Sequence, residues 1–173
     1  NIRTESAVAR ITKIPVLGTI RHTDAVDKVV SVKNPKSLYA EGFRFIRSRI
    51  EMITQRKKDI SIMITSAESG DGKTHFAKNL AGIYFLVSNK VLLIDLDFRN
   101  PKLSAQLGYG SAKGLVHVLI GEATLDDVII KNDEELGFHF LPVGVVPPTS
   151  AELIRSDKMA QLFAELKERY DYR

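Results

Sequence analysis

Apolar positions along the chain fall into two periods, and the switches between them mark its elements. From Leu38 to about Gln55, Phe43, Ile46, Ile50 and Ile53 recur every three or four residues, the stripe of an amphipathic helix that Ser37 is placed to cap. Glu41, Arg44 and Arg47 follow one another at three-residue spacing on a different face, and Phe45 also lies off the stripe. Ile60 to Thr65 is a short β-branched run and predicts a strand. Thr74 to Val87 is apolar around much of its surface, as suits a helix buried against a sheet. Val91 to Asp95 is a continuous apolar run ending in a carboxylate, the pattern of a parallel strand covered on both faces. Pro101 to Leu107, Leu115 to Ile120 and Leu125 to Ile130 read as short helices separated by glycines. Phe138 to Val143 is a third strand, and Val145 to Thr149 a proline-bearing loop. Ala151 to Ile154 and Lys158 to Tyr170 are helical, with Leu162, Phe163 and Leu166 inward. Strands alternating with helices predict a doubly wound parallel α/β sheet with flanking helices. Residues 1–35, with Ile14-Pro15-Val16-Leu17-Gly18, read as a linker or leader laid against a domain that occupies residues 36–173.

Composition narrows the chemistry. At 173 residues and 44% hydrophobic, the chain is large enough for one ordinary core. It has no cysteine, which excludes disulfides and thiolate metal sites. Its four histidines are scattered without metal-ligand spacing. No apolar run approaches the roughly 20 residues that span a bilayer. The net charge of +4 suits an anionic ligand or an anionic membrane face, and no basic-aromatic pattern points to nucleic acid. The chain opens without methionine and closes on Tyr170-Asp171-Tyr172-Arg173 straight after a helix, so it reads as a fragment truncated at its C-terminus.

The strongest chemical signal is Ala67-Glu68-Ser69-Gly70-Asp71-Gly72-Lys73-Thr74, directly after the β-branched run. A glycine-bearing turn between a strand and a helix points backbone N–H groups at phosphate oxygens, and the helix start adds its positive end. In this arrangement Lys73 reaches the outer phosphates and the Thr74 hydroxyl faces Mg²⁺. Glu68, Ser69, Gly70, Asp71 and Gly72 form the cradle, with His75 on the first helical turn beside it. The first position is Ala67 instead of glycine, and alanine takes a positive φ less cheaply. Asp95 and Asp97 lie at the carboxyl end of the second predicted strand, where open α/β sheets bind ligands. Carboxylates there order Mg²⁺ or accept a proton from an attacking hydroxyl.

Together these motifs resemble the cytoplasmic kinase domain of bacterial tyrosine kinases, of the polysaccharide co-polymerase systems for capsule and exopolysaccharide, related in fold to the ParA/MinD ATPases. The resemblance rests on the loop from Glu68 to Thr74 and on Asp95-Leu96-Asp97-Phe98-Arg99 followed by Pro101. It extends to Gly114-Leu115, Gly121, Leu141-Pro142-Val143-Gly144 and the run from Pro147 to Ile154. It implies ATP and Mg²⁺ as cofactors, with Lys73 and Thr74 holding phosphates and metal. Asp95 and Asp97 would order the metal and activate a tyrosine hydroxyl of a protein substrate. It implies that Glu41, Arg44 and Arg47 pack subunits into a homo-oligomeric ring. It also implies a cytoplasmic domain tied to the inner membrane, with a membrane-spanning co-polymerase or activator region on the same or a separate chain. The family's third motif, a strand ending in Asp, is expected just past Arg173, as is a tyrosine-rich tail. Two alternatives stay open: a ParA/MinD-like ATPase switch, and a ring-forming module without kinase activity. Glu68, where the ParA/MinD branch carries lysine, favours the kinase.

Overall fold

The computed structural model describes residues 8, 10–22, 29, 33–55, 57, 59–88, 90–131, 136–147 and 150–173. Residues 148–149 of the proline-bearing loop and much of the predicted leader lie outside them. Ser37 starts the first long helix, α1 (Leu38–Ile53), by accepting the Ala40 N–H on its side chain at 3.1 Å. The helix buries Phe43 and Ile46. Ile50 packs at the edge of the same core, while Ile53, expected inward, is exposed. Gln55 then takes a left-handed conformation and ends the element. Of the leader, Leu17 and Ile20 pack on the same core, and Arg49 donates to the Val16 carbonyl at 2.7 Å.

The helix after the glycine-bearing loop, α2 (Lys73–Phe85), buries every residue from Ala77 to Tyr84. It stops short of Val87, which is exposed. Strand β1 (Leu92–Ile94) follows, then α3 (Lys102–Gln106), α4 (Leu115–Ile120), α5 (Leu125–Val128), β2 (His139–Leu141), α6 (Ser150–Ile154) and α7 (Asp157–Arg169). β1 and β2 run parallel, with Leu92 opposite His139 and Ile94 opposite Leu141.

Alternation along these strands divides the interior into two cores, as a sheet covered on both faces requires. Val91, Leu93, Phe138 and Phe140 face the side of α1 and α2, with Phe43, Ile46, Leu80 and Ile83. Leu92, Ile94 and Leu141 face the opposite side, with Leu115 and Leu119 of α4 and Leu162 and Leu166 of α7. Phe163, expected inward, is only half-buried at that core's rim. The doubly wound parallel arrangement is therefore present, with helices on both faces.

Two sequence expectations change. The predicted strand from Ile60 to Thr65 pairs only at its start. Ile60 bridges Tyr172 in parallel, and Ile62 N–H donates to the Arg173 carbonyl at 2.8 Å. Tyr172 also bridges Val91 in parallel, so residues 171–173 lie between the two segments. A cavity of about 550 Å³ lies between the two segments, lined by Ile62, Ile64, Leu93 and Asp95 among others. A strand needs a ladder on at least one side, and Met63 to Thr65 have none among the described residues. The second change is at Leu125 to Ile130, where the helix ends at Val128. Ile130 instead exchanges both backbone hydrogen bonds with Phe140, at 2.8 and 2.9 Å. Two consecutive β-branched residues next to a strand favour that pairing over another helical turn. Among the described residues, no helix is long and apolar enough to cross a membrane.

Candidate active site

The loop from Ala67 to Thr74 has the shape its glycines allow. Gly70 and Gly72 sit at φ of +104° and +89°, a region L-residues rarely adopt, and open space surrounds both. Ala67 is not among the described residues with positive φ, so the alanine at the first position carries no backbone strain. The loop is also held by its own side chains. Glu68 N–H donates to Asp71 Oδ2 at 2.9 Å, and the Ser66 hydroxyl donates to the Glu68 carbonyl at 3.0 Å. Gly72 leads directly into α2, so the positive end of a 13-residue helix meets the loop. Around this loop lies an open cavity of about 400 Å³, walled by residues 66–70 and 72–75 together with Asp97, Asn100, Lys102 and Gln106.

Lys73 and Asp97 meet at this cavity, Nζ to Oδ2 at 3.1 Å. Burial alone would raise the Asp97 carboxyl. The Asn100 N–H, the Lys73 hydrogen bond and charge, and the Arg99 N–H outweigh it and hold the group below the usual carboxylate range. Asp97 is therefore a carboxylate at neutral pH. Asp95 is placed differently. It is buried, and Oδ2 accepts both the Ser104 N–H at 2.9 Å and the Ser104 hydroxyl at 2.7 Å. Oδ1 accepts the Asp97 N–H at 3.1 Å. Ser104 in turn accepts the Val143 N–H at 3.1 Å, which ties α3, the end of β1 and the end of β2 into one knot. Asp95 thus lines the larger cavity and fixes the turn that presents Asp97; it does not wall the phosphate-loop cavity.

His75 receives a contact from outside the loop. Its Nε2 is hydrogen-bonded to the Tyr39 hydroxyl of α1, and its carbonyl accepts from Asn79 Nδ2 at 3.0 Å. Burial pushes the Tyr39 phenol up to about 12. Glu41, Arg44 and Arg47 of α1 divide. Glu41 is exposed and pairs with Arg44 at 2.5 Å, and Arg44 also donates to the Pro35 carbonyl. Arg47 instead turns inward. It donates to the Ile83 carbonyl of α2 at 3.1 Å and pairs with Glu51 at 3.3 Å, with 18% of its side chain exposed. Arg47→Ala is expected to cost about 1–2 kcal/mol through these contacts. Arg44→Ala, half-exposed, is expected to cost less than about 1 kcal/mol. Thermal melts of the two variants check this, and equal shifts would remove the clasp role from Arg47.

Of the residues the sequence singled out, Lys73, Thr74 and Asp97 line the cavity around the loop. Sequence reasoning missed Tyr39, Asn100, Lys102 and Ser104, none of which belongs to a recognisable spacing. The one available signal was that Lys102 closely follows the aspartate pair. Thr74 and Asp97 provide a hydroxyl and a carboxylate on the cavity. That suits Mg²⁺, which takes one or two protein oxygens and completes its shell with phosphates and water. Among the described residues no group of three His, Cys, Asp or Glu side chains could hold a metal alone.

No family model matches the chain. It is 36% identical over 143 residues to the tyrosine-protein kinase YwqD of Bacillus subtilis (strain 168), which covers 83% of the chain and 60% of that protein. It is 32% identical over 163 residues to the succinoglycan biosynthesis transport protein ExoP of Rhizobium meliloti (strain 1021), covering 88% of the chain and 21% of ExoP. Its structure superimposes on that of the chimerical protein CapA2B2 with a TM-score of 0.86 and 34% identity, over 98% of the chain and 73% of the chimera. The chain thus spans less than two thirds of the length of YwqD and about a fifth of that of ExoP. A glycine-bearing loop facing an ionised aspartate on a doubly wound sheet, with this degree of identity, places the chain in the family of bacterial tyrosine kinases of P-loop fold.

Proposed function

We propose that the chain is the catalytic part of an ATP-dependent protein-tyrosine kinase, acting on tyrosines of its own assembly and regulating the polymerisation and export of a capsule or exopolysaccharide. The observation that carries the reading is the Lys73–Asp97 pair at the mouth of the glycine-bearing loop. The names of YwqD and ExoP support the two halves of it.

The cradle fits a triphosphate because Gly70 and Gly72 leave open space where side chains would stand. Thr74 and Asp97 would hold Mg²⁺, which neutralises charge on the phosphates. Lys73 leaves Asp97 to bind the outer phosphates, and the α2 N-terminus stabilises the same charge. Asp97, ionised at neutral pH, takes the proton of an incoming tyrosine hydroxyl or orients it. Asp95 acts through Ser104 and the Asp97 N–H as a positioning residue. The partners in this reading are further copies of the chain in a ring, contacted through Glu41 and Arg44, and a membrane-spanning co-polymerase. The domain would work on the cytoplasmic side of the inner membrane.

The test is phosphotyrosine formation by the full gene product with ATP and Mg²⁺. Asp97→Asn is expected to lower the signal at least about 100-fold while nucleotide still binds. ATP hydrolysis without phosphotyrosine would replace this reading with that of a nucleotide-dependent switch.

A further inference from the structure

Among the described residues, four line both cavities at the site: Lys73, Thr74, Asp97 and Lys102. The first three already have roles in phosphate and metal binding. Lys102 has none. It is the first residue of α3, its side chain is exposed, and its Nζ donates to the Ser69 hydroxyl across the mouth of the loop at 3.0 Å. It therefore stands over the loop from outside, whereas Lys73 rises from the loop's own end.

Its backbone is not loosely placed. Lys102 N–H donates to the Asn100 carbonyl at 2.6 Å, and Asn100 N–H donates to Asp97 Oδ1 at 3.0 Å. Two residues later Ser104 is locked to Asp95. The knot that aims Asp97 into the cavity thus also fixes where the Lys102 stem begins. The ammonium at its end is a point charge on a flexible four-carbon stem, able to leave a neutral hydroxyl for a stronger acceptor. A phosphate oxygen is such an acceptor, because charge-assisted hydrogen bonds are roughly twice as strong as neutral ones.

We propose that Lys102 is a second cation of the nucleotide site, and that it leaves Ser69 to bind the terminal phosphate of a nucleoside triphosphate. This rests on the nucleotide reading above and assigns a discriminating contact within it. The loop backbone cradles the inner phosphates and Lys73 spans the outer two. A cation entering from the Asp97 side meets the outermost one. Lys102 then distinguishes triphosphate from diphosphate, and with Lys73 it brackets the phosphoryl group that is transferred.

Calorimetric titration of the full gene product with ATP and with ADP, each with Mg²⁺, tests this. Lys102→Met is expected to weaken ATP about tenfold more than ADP, about 1.4 kcal/mol of discrimination. Lys102→Arg should restore it. Equal losses for ATP and ADP, no loss at all, or a Lys102→Arg variant that matches Lys102→Met would overturn the inference while leaving the nucleotide site standing. A wild-type protein that binds neither nucleotide would overturn both.

Discussion

Lys73→Met is expected to abolish tight ATP binding and to lower phosphotyrosine formation at least about 100-fold, with the fold left intact. Two physical terms separate here. On the kinase reading the ammonium would be the loop's own cation on the outer phosphates, where charge accumulates during transfer, and methionine fills its volume without its charge. In stability, the Lys73–Asp97 pair is only partly shielded, with side chains 37% and 33% exposed. Such a pair contributes less than about 1 kcal/mol, and Asp97 keeps its hydrogen bonds from Arg99 and Asn100. The melting temperature should therefore move by no more than about 2–4 °C. Parallel nucleotide titration, phosphotyrosine blotting and thermal melting check it. Unchanged labelling would remove Lys73 from the chemistry.

The largest effect on stability is expected from Gly114→Ala. The start of α4 is zipped to the segment after β2, with Leu115 N–H donating to the Pro142 carbonyl at 2.8 Å and Val116 N–H to that of Val143 at 3.0 Å. A Cβ on Gly114 would stand 2.2 Å from the Pro142 oxygen and 2.6 Å from the Gly144 nitrogen. Both are backbone atoms, so no side chain can swing aside. The zipper must open, and the His117 Nδ1 that accepts the Gly114 N–H at 3.2 Å loses its donor. About 3 kcal/mol is the expected cost, a fall of about 6–12 °C in melting temperature. A melt within 2 °C or so of wild type would show that the two segments separate at little cost. The segment after β2 also supplies the Val143 N–H to Ser104, so a lesion at Gly114 should reach the Asp95 knot as well.

Much of this architecture was legible because it depends on near neighbours. The stripe of α1 as far as Ile50, its Ser37 cap and the apolar run of β1 are local patterns, and they fold as they read. The glycine-bearing loop was legible for the same reason, since Gly70, Gly72 and Lys73 carry their geometry within eight residues. What escaped depends on partners distant in sequence. Met63 to Thr65 have the composition of a strand, but composition does not supply a neighbour to pair with. Ile130 joins Phe140, ten residues away, and that pairing overrides helical continuation. Asp95 and Asp97 were recognised as a pair, yet only the contact of Asp95 with Ser104, on the next helix, divides their roles. Arg47 matched a surface spacing, and the Ile83 carbonyl that draws it inward lies on another helix.

That inward turn of Arg47 has a mechanical side. α1 grips α2 at two places, Tyr39 on His75 beside the loop and Arg47 on the Ile83 carbonyl near the helix's far end. The two grips on α1 are eight residues apart, roughly 12 Å along the axis. A rod pinned twice cannot roll beneath a neighbour's push without dragging its mate. Any torque delivered to the outer face of α1 is therefore felt at Thr74, one residue from the upper pin, as a change in the spacing of the glycine-bearing loop.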